Sequence, residues 1–264
     1  MYDFNYLKPE TVADAVKALG EEDAQAIAGG QTLVPTLKAR LAMPTSLVDL
    51  TGIREMQGIC PADGSIAIGG ATRHAAVEHS EEVRRAFPGL ADLAAQIGDP
   101  QVRNRGTLGG SVANNDPASC YPAAVLGTGA TVITNAREIP ADDFFQGMFE
   151  TALDEGEIVT GVRFPVPEKS AYAKFVQPAS RFALTGVFVA KYPQGVRVAV
   201  TGAAESGVFR WSEAEQALAS NFSPDAIEGL RVPAEGMIGD IHGTPDYRAH
   251  LVGVMTRRAV SAAH

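Results

Sequence analysis

The sequence predicts an α+β protein in which an N-terminal α/β domain is followed by a smaller C-terminal α+β domain of antiparallel sheet and helices. Three features point there. A strand, a glycine turn, a helix and a second strand follow one another within the first 50 residues. A proline-rich break, Phe164-Pro165-Val166-Pro167-Glu168-Lys169, interrupts the pattern later. Beyond it come a β-hairpin signal and a terminal helix. At 264 residues the chain is long enough for two cores.

The opening elements follow from local chemistry. Thr11 is placed to cap a helix through Val12, Ala15, Val16 and Leu19, with Gly20 ending it. A short buried strand is expected over 24–28, then Gly29-Gly30-Gln31-Thr32, then a helix over 33–41 carrying Pro35 in its first turn. Residues 46–50 read as the next strand, so the group forms a compact βαβ unit. From 51 to 165 the pattern is less regular, with strands near 65–68 and 130–134 and helices near 73–79, 90–97 and 118–126. A long polar loop is expected over 98–116. Past the break, 183–191 and 196–201 are β-rich and joined by Tyr192-Pro193-Gln194-Gly195, a hairpin. Residues 245–263 place Leu251, Val254, Met255 and Arg258 at helical spacing. The expected domains are therefore 1–165, with a βαβ subdomain over about 1–50 and a second over about 51–165, and 168–264.

Composition narrows the function. A net charge of −9 argues against nucleic-acid binding. No apolar run is long enough to span a membrane, and Met1-Tyr2-Asp3-Phe4-Asn5 is no secretory leader, so a cytoplasmic location is expected. The two cysteines, Cys60 and Cys120, cannot ligate an iron–sulfur cluster or a four-thiolate zinc within this chain. Redox chemistry here would need an organic cofactor. No Ser-His-Asp, Cys-His or paired-carboxylate motif appears, which suits a cofactor that carries its own electron chemistry.

Two segments carry chemistry. In Ile27-Ala28-Gly29-Gly30-Gln31-Thr32-Leu33, glycines leaving a strand let main-chain amides face a ligand beside a helix N-terminus, a setting for phosphate. The pattern is neither GxGxxG nor GxxxxGK[ST], and by itself it also fits an ordinary strand-to-helix turn. The second runs from Gly98 through Thr107-Leu108-Gly109-Gly110-Ser111 to Asn114, Asn115, Asp116 and Pro117. It is too polar to order itself by burial, and the Gly109 and Gly110 amides are expected to form a second anion nest. Two such turns suit a dinucleotide.

The pairing of Ala28-Gly29-Gly30-Gln31-Thr32-Leu33-Val34-Pro35 with Thr107-Leu108-Gly109-Gly110-Ser111 and Asp116-Pro117-Ala118-Ser119 resembles the FAD-binding medium subunit of molybdenum hydroxylases, the family of aerobic carbon monoxide dehydrogenase and xanthine dehydrogenase. The likeness runs from Tyr2-Asp3-Phe4 through Gly156-Glu157-Ile158-Val159 and Lys174-Phe175 to Pro178-Ala179-Ser180-Arg181-Phe182, nearly the whole chain. The resemblance implies a PCMH-type FAD-binding fold and FAD as cofactor. It places the pyrophosphate in the turn from Ala26 to Leu33, with Thr107, Gly109, Gly110, Ser111, Asn114, Asp116 and Cys120 along the same cofactor. Ile97 and Val159 would flank the flavin, with Arg181 and Phe182 close to the ring. It also implies an iron–sulfur small subunit and a molybdenum-cofactor large subunit as partners, in a heterotrimer or a dimer of heterotrimers. Electrons would pass from substrate in a partner through FAD to NAD, a quinone or oxygen.

Departures from the family pattern are Ser111 where asparagine is usual, Cys120 where an acid is usual, and Val176 where a basic side chain is common. They motivate an alternative, a scaffold or assembly subunit poor in FAD. Residue by residue, Cys120 reads as a small buried side chain, and His74 and His79 as surface residues whose spacing does not suit a metal. Arg103 and Arg105 fit either pyrophosphate, an acidic partner or solvent. Trp211 reads as core. The diglycines at 29–30, 69–70 and 109–110 recur at a spacing of 40, and with dissimilar flanks the spacing reads as coincidence.

Overall fold

In the computed structural model, which describes residues 1–264, three sheets succeed one another along the chain. The first is parallel, with β3 (Ser46–Asp49) between β1 (Asn5–Leu7) and β2 (Ala24–Ile27). Its central strand is buried throughout, whereas β2 lies at the edge and is half exposed, so the buried strand expected at 24–28 is corrected to an edge strand. The helix Val12–Leu19 begins where Thr11 accepts a hydrogen bond from the Asp14 amide and ends at Gly20. Its Ala15 packs with Val48, Ile53 and Met56 beneath the sheet.

The second sheet is antiparallel, in the order β4 (Ile59–Ala62), β5 (Ser65–Gly69), β10 (Val159–Pro165), β6 (Thr131–Thr134) and β7 (Glu138–Pro140). A two-stranded ribbon, β8 (Phe145–Gly147) and β9 (Glu150–Thr151), precedes the long central β10 (Val159–Pro165). The third sheet, also antiparallel, runs β11 (Lys169–Val176), β12 (Ala183–Tyr192), β13 (Gly195–Ala204) and β14 (Gly207–Arg210). The hairpin expected at Pro193 and Gln194 is present, with Tyr192 paired to Gly195. Helices Ser212–Ser220 and Pro245–Ala262 cover this sheet, and Trp211 is buried among them. The terminal helix buries Leu251, Val252, Met255 and Ala259. Val254 is only half-buried and Arg258 is exposed, so the buried stripe is one position off the expected one.

Only the connection Val166–Glu168 separates the last two sheets, and one core joins them. Phe87 meets Phe164 of β10 edge-on at 6.2 Å and Phe188 of β12 at 6.0 Å, and all three rings are fully buried. Burying each ring contributes about 2–3 kcal/mol, and each edge-on pair adds about 1 kcal/mol. That rigid junction matters because β11, beyond it, contributes to the site. No helix is long and apolar enough to cross a membrane.

The loop expected over 98–116 is instead mostly two short helices, Pro100–Arg103 and Leu108–Asn114. Asp99 caps the first through the Val102 amide at 2.8 Å, and Thr107 caps the second through the Gly110 amide at 3.3 Å. Glycines weaken a helix by roughly 1 kcal/mol each, which is why the pattern reads as loop. Tertiary contact reverses that preference, because a side chain at Gly109 would meet the Gly70 backbone at 2.8 Å.

Candidate cofactor-binding site

The chain leaves β2 at Ile27 and turns through Gly29 and Gly30. Gly30 has φ of +68°, a left-handed conformation that glycine adopts without a Cβ penalty. Gly29 is needed for a different reason: a Cβ there would stand 2.3 Å from the Arg105 carbonyl oxygen and 2.5 Å from the Gly106 Cα. The first bend is thus pressed backbone to backbone against the segment leading into the second. The Gln31 side chain donates to the Gly29 carbonyl at 3.0 Å and helps hold the turn. The amides of Gly29, Gly30, Gln31 and Thr32 donate to no acceptor within the chain, and they precede the helix Leu33–Lys38. Unpaired amides beside a helix N-terminus form an anion cradle.

The second bend is built differently. Leu108 donates to the Thr72 carbonyl at 3.0 Å, Gly109 to the Gly70 carbonyl at 2.8 Å, and Gly110 to the Thr107 hydroxyl. The expected nest from the Gly109 and Gly110 amides is therefore corrected: those donors are spent inside the protein. The bend instead offers the exposed Gly110, where a Cβ would meet the Thr107 hydroxyl at 3.0 Å and Ala28 at 3.7 Å, and the Ser111 hydroxyl, 2.7 Å from that of Ser119. The middle diglycine belongs to the same construction. Gly70 packs under Gly109, and a Cβ on it would stand 2.2 Å from the Val159 carbonyl oxygen.

Between the bends lies an open cleft of about 630 Å³. Every residue expected along the cofactor lines it, from Ile27–Leu33 at one end, past Thr107, Gly109, Gly110, Ser111, Asn114, Asp116 and Cys120, to Ile97, Val159 and Phe182. Asp116 uses one carboxylate oxygen to accept from the Ala118 amide at 2.8 Å. Asn115, by contrast, is buried in a left-handed conformation and ties down the Gly147 and Glu150 carbonyls at 2.7 and 2.8 Å. Arg103 is taken up by Glu78 at 2.7 Å and by the Ile97 carbonyl at 3.2 Å, which excludes the pyrophosphate role while fixing Ile97 in the wall.

Among the lining residues that were not foreseen, three carry a charge or a titratable ring. Lys174 on β11 donates to the Arg181 carbonyl at 2.9 Å and to the Gln96 carbonyl, and its ammonium lies 3.7 Å from the Cys120 sulfur. It brings a cation to the cleft two residues before Val176, which stays exposed. Glu157 is held by Arg137 at 2.9 Å, by the Thr134 hydroxyl and by the Asp154 amide, and these partners, Arg137 first, hold its carboxyl down at about 2. The clamp fixes the turn that delivers Ile158 and Val159. His74, expected at the surface, is buried, with its ring 5.3 Å from that of Tyr121 and its Nδ1 without a partner. Burial, aided by Arg103, pushes its pKa down to about 4, so it is neutral at physiological pH. Only the tertiary fold puts His74 under Gly106; the polar, surface-like pattern around it gives no sign.

Residues 2–167 match the family model described as the FAD binding domain in molybdopterin dehydrogenase. The chain belongs to that family. Its relatives include the carbon monoxide dehydrogenase medium chain of Hydrogenophaga pseudoflava, 33% identical over 98% of this chain and 96% of the relative. The glyceraldehyde dehydrogenase medium chain of Sulfolobus acidocaldarius is 32% identical over 97% of each. A solved carbon monoxide dehydrogenase from Oligotropha carboxidovorans superposes with a TM-score of 0.89 at 31% identity, covering 98% of this chain and 97% of that one. For an FAD-binding family member, the unspent amides of the first bend and the bare face of Gly110 fit a pyrophosphate lying between the bends.

The two glycines of the second bend separate flavin binding from stability. Gly110→Val is expected to reduce bound flavin at a stability cost of about 1 kcal/mol, because Gly110 lines the cleft and its Cβ would crowd only the Thr107 hydroxyl, at 3.0 Å, and no backbone. Gly109→Ala, driven into the Gly70 backbone, is expected to cost about 1–3 kcal/mol of stability. Flavin absorbance per chain and denaturant unfolding read the two effects.

Proposed function

We propose that this chain is the FAD-binding electron-transfer subunit of a molybdenum-containing hydroxylase. The supporting observation is the row of unspent amides from Gly29 to Thr32 lining the same cleft as the exposed glycine of the second bend. When bound, FAD supplies the redox chemistry, taking and releasing electrons one or two at a time. The chain's own residues bind and orient it. The first-bend amides would hold the pyrophosphate, and Ile97, Val159 and Phe182 would supply apolar contact to the ring. Thr107, Ser111, Asn114, Asp116 and Cys120 line the path between. Lys174 places a positive charge at the end of the cleft near Ile97 and Phe182, where added electrons are stabilised by a cation. Residues 1–165 act as the FAD-binding domain and 168–264 as the second domain, which contributes Lys174 and Phe182.

In this reading the partners are an iron–sulfur small subunit and a molybdenum-cofactor large subunit, in a cytoplasmic heterotrimer or pair of heterotrimers. Substrate is oxidised in the large subunit, and electrons reach this chain through the clusters. Co-purification with the products of neighbouring genes tests the reading. Visible spectra, after subtraction of iron–sulfur absorbance, are expected to give one FAD per chain. A complex that assembles without flavin would instead assign the chain a scaffold role.

A further inference from the structure

We infer that Cys120 sets the redox potential of the flavin in this cleft, by leaving the Lys174 ammonium without a counter-charge. The inference rests on the FAD reading above and extends it to the poise of the electron carrier. Lys174 is half-buried, and its three polar neighbours are neutral: the Gln96 carbonyl, the Arg181 carbonyl at 2.9 Å and the Cys120 thiol at 3.7 Å. The two carbonyls belong to the residues just before Ile97 and Phe182, so the ammonium is held at the end of the cleft that those residues line.

Of those three neighbours only position 120 is a side chain, and so only there can residue type supply a compensating charge. The Tyr172 hydroxyl supplies none. It is buried without a hydrogen-bond partner, and burial, followed by the nearby Cys120, raises its pKa and keeps it protonated. The other titratable groups lining the cleft do not pair with Lys174 either. Glu157 is paired with Arg137 at 2.9 Å, Asp116 accepts from the Ala118 amide at 2.8 Å, and His74 is neutral at physiological pH. Arg181 lines the cleft as a second cation, but it is exposed, where water and salt screen it.

Reduction adds negative charge to a flavin. A cation partly withdrawn from water, with no anion beside it, stabilises the reduced form more than the oxidised one and raises the midpoint potential. A carboxylate at position 120 would stand against the ammonium and cancel that field, whereas a thiol leaves it in force. Cys120 acts through Lys174 and is not itself a catalytic residue. The position also accepts the change that tests this. Cys120 is the N-cap of the helix Tyr121–Thr128 and makes no side-chain capping bond, and aspartate is a preferred residue there.

The test is a spectroelectrochemical titration, without oxygen, of the full chain loaded with FAD. Cys120→Asp and Lys174→Met are each expected to lower the flavin midpoint potential by at least about 30 mV, a tenfold shift of a two-electron couple toward the oxidised form. Lys174→Arg keeps the charge and is expected to restore most of what Lys174→Met loses. Cys120→Ser, neutral and close in size, is expected to leave the potential where it is. A potential unchanged in either Cys120→Asp or Lys174→Met, with flavin bound, would overturn the inference. So would a rise in Cys120→Ser, which would mean that the sulfur already carries the counter-charge. Should Cys120→Asp fail to fold or to hold flavin, Lys174→Met against Lys174→Arg, with the Cys120→Ser result, decides on the same criterion. A wild-type chain that holds no flavin would count against the FAD reading itself, and the inference would fall with it.

Discussion

Gly29→Ala is expected to lower FAD affinity by at least about tenfold and to destabilise the chain by about 1–3 kcal/mol, the usual range for overpacking. The new methyl would stand 2.3 Å from the Arg105 carbonyl oxygen and 2.8 Å from its carbonyl carbon, and neither is a flexible side-chain end that swings aside. Relief requires the two bends to separate. Separation moves the Gly29–Thr32 amides away from Gly110 and widens the gap that a pyrophosphate has to bridge. Gly30→Ala is a useful companion, because its φ of +68° and the Val34 methyl at 2.9 Å make it unfavourable without moving the second bend. Equilibrium dialysis with FAD and calorimetric unfolding measure both terms. A Gly29→Ala chain that keeps its flavin at wild-type affinity would show that the contact between the bends is irrelevant to binding.

Acid is expected to destabilise the protein through His74. Its folded pKa, about 4, lies below the ordinary 6.5, so between these values the unfolded chain binds a proton that the folded chain does not. Stability from this residue is therefore complete above about pH 6.5 and is lost as pH falls toward 4, a change of about 3 kcal/mol at most. Glu157 contributes separately and lower down. Its carboxyl is held at about 2 against 4.5, so its contribution is present above 4.5 and fades as pH falls toward 2. His74→Phe keeps the ring against Tyr121 and removes the proton. Denaturant unfolding between about pH 7 and pH 4.5 should then show a flatter slope than wild type. An unchanged slope would mean that other groups carry the acid sensitivity.

Much of the site was legible locally because its chemistry is local. A glycine turn between a strand and a helix announces itself through residue type, as do the helix caps at Thr11 and the hairpin at Pro193 and Gln194. The second segment was legible as ligand-binding but not in form. Its glycines read as loop, and only the Gly70 carbonyl explains why a helix there spends its amides inward. The place of Lys174 and His74 in the site was not legible for a related reason. Each is defined by a partner far away in sequence, Gln96 and Cys120 for the lysine and Gly106 and Tyr121 for the histidine.

By itself the amino-acid order determined the fold class, the position of both glycine motifs, the want of cluster-binding cysteines and, through resemblance, the family. These depend on residue type and short spacing, which the chain carries whether folded or not. The tertiary structure alone decided which amides remain unspent, which diglycine supports which, and that β11 crosses the Phe87–Phe164–Phe188 junction to bring an ammonium to the cleft. Those outcomes depend on backbones packed at distances of two to three ångströms across long stretches of sequence, where one added carbon changes the answer.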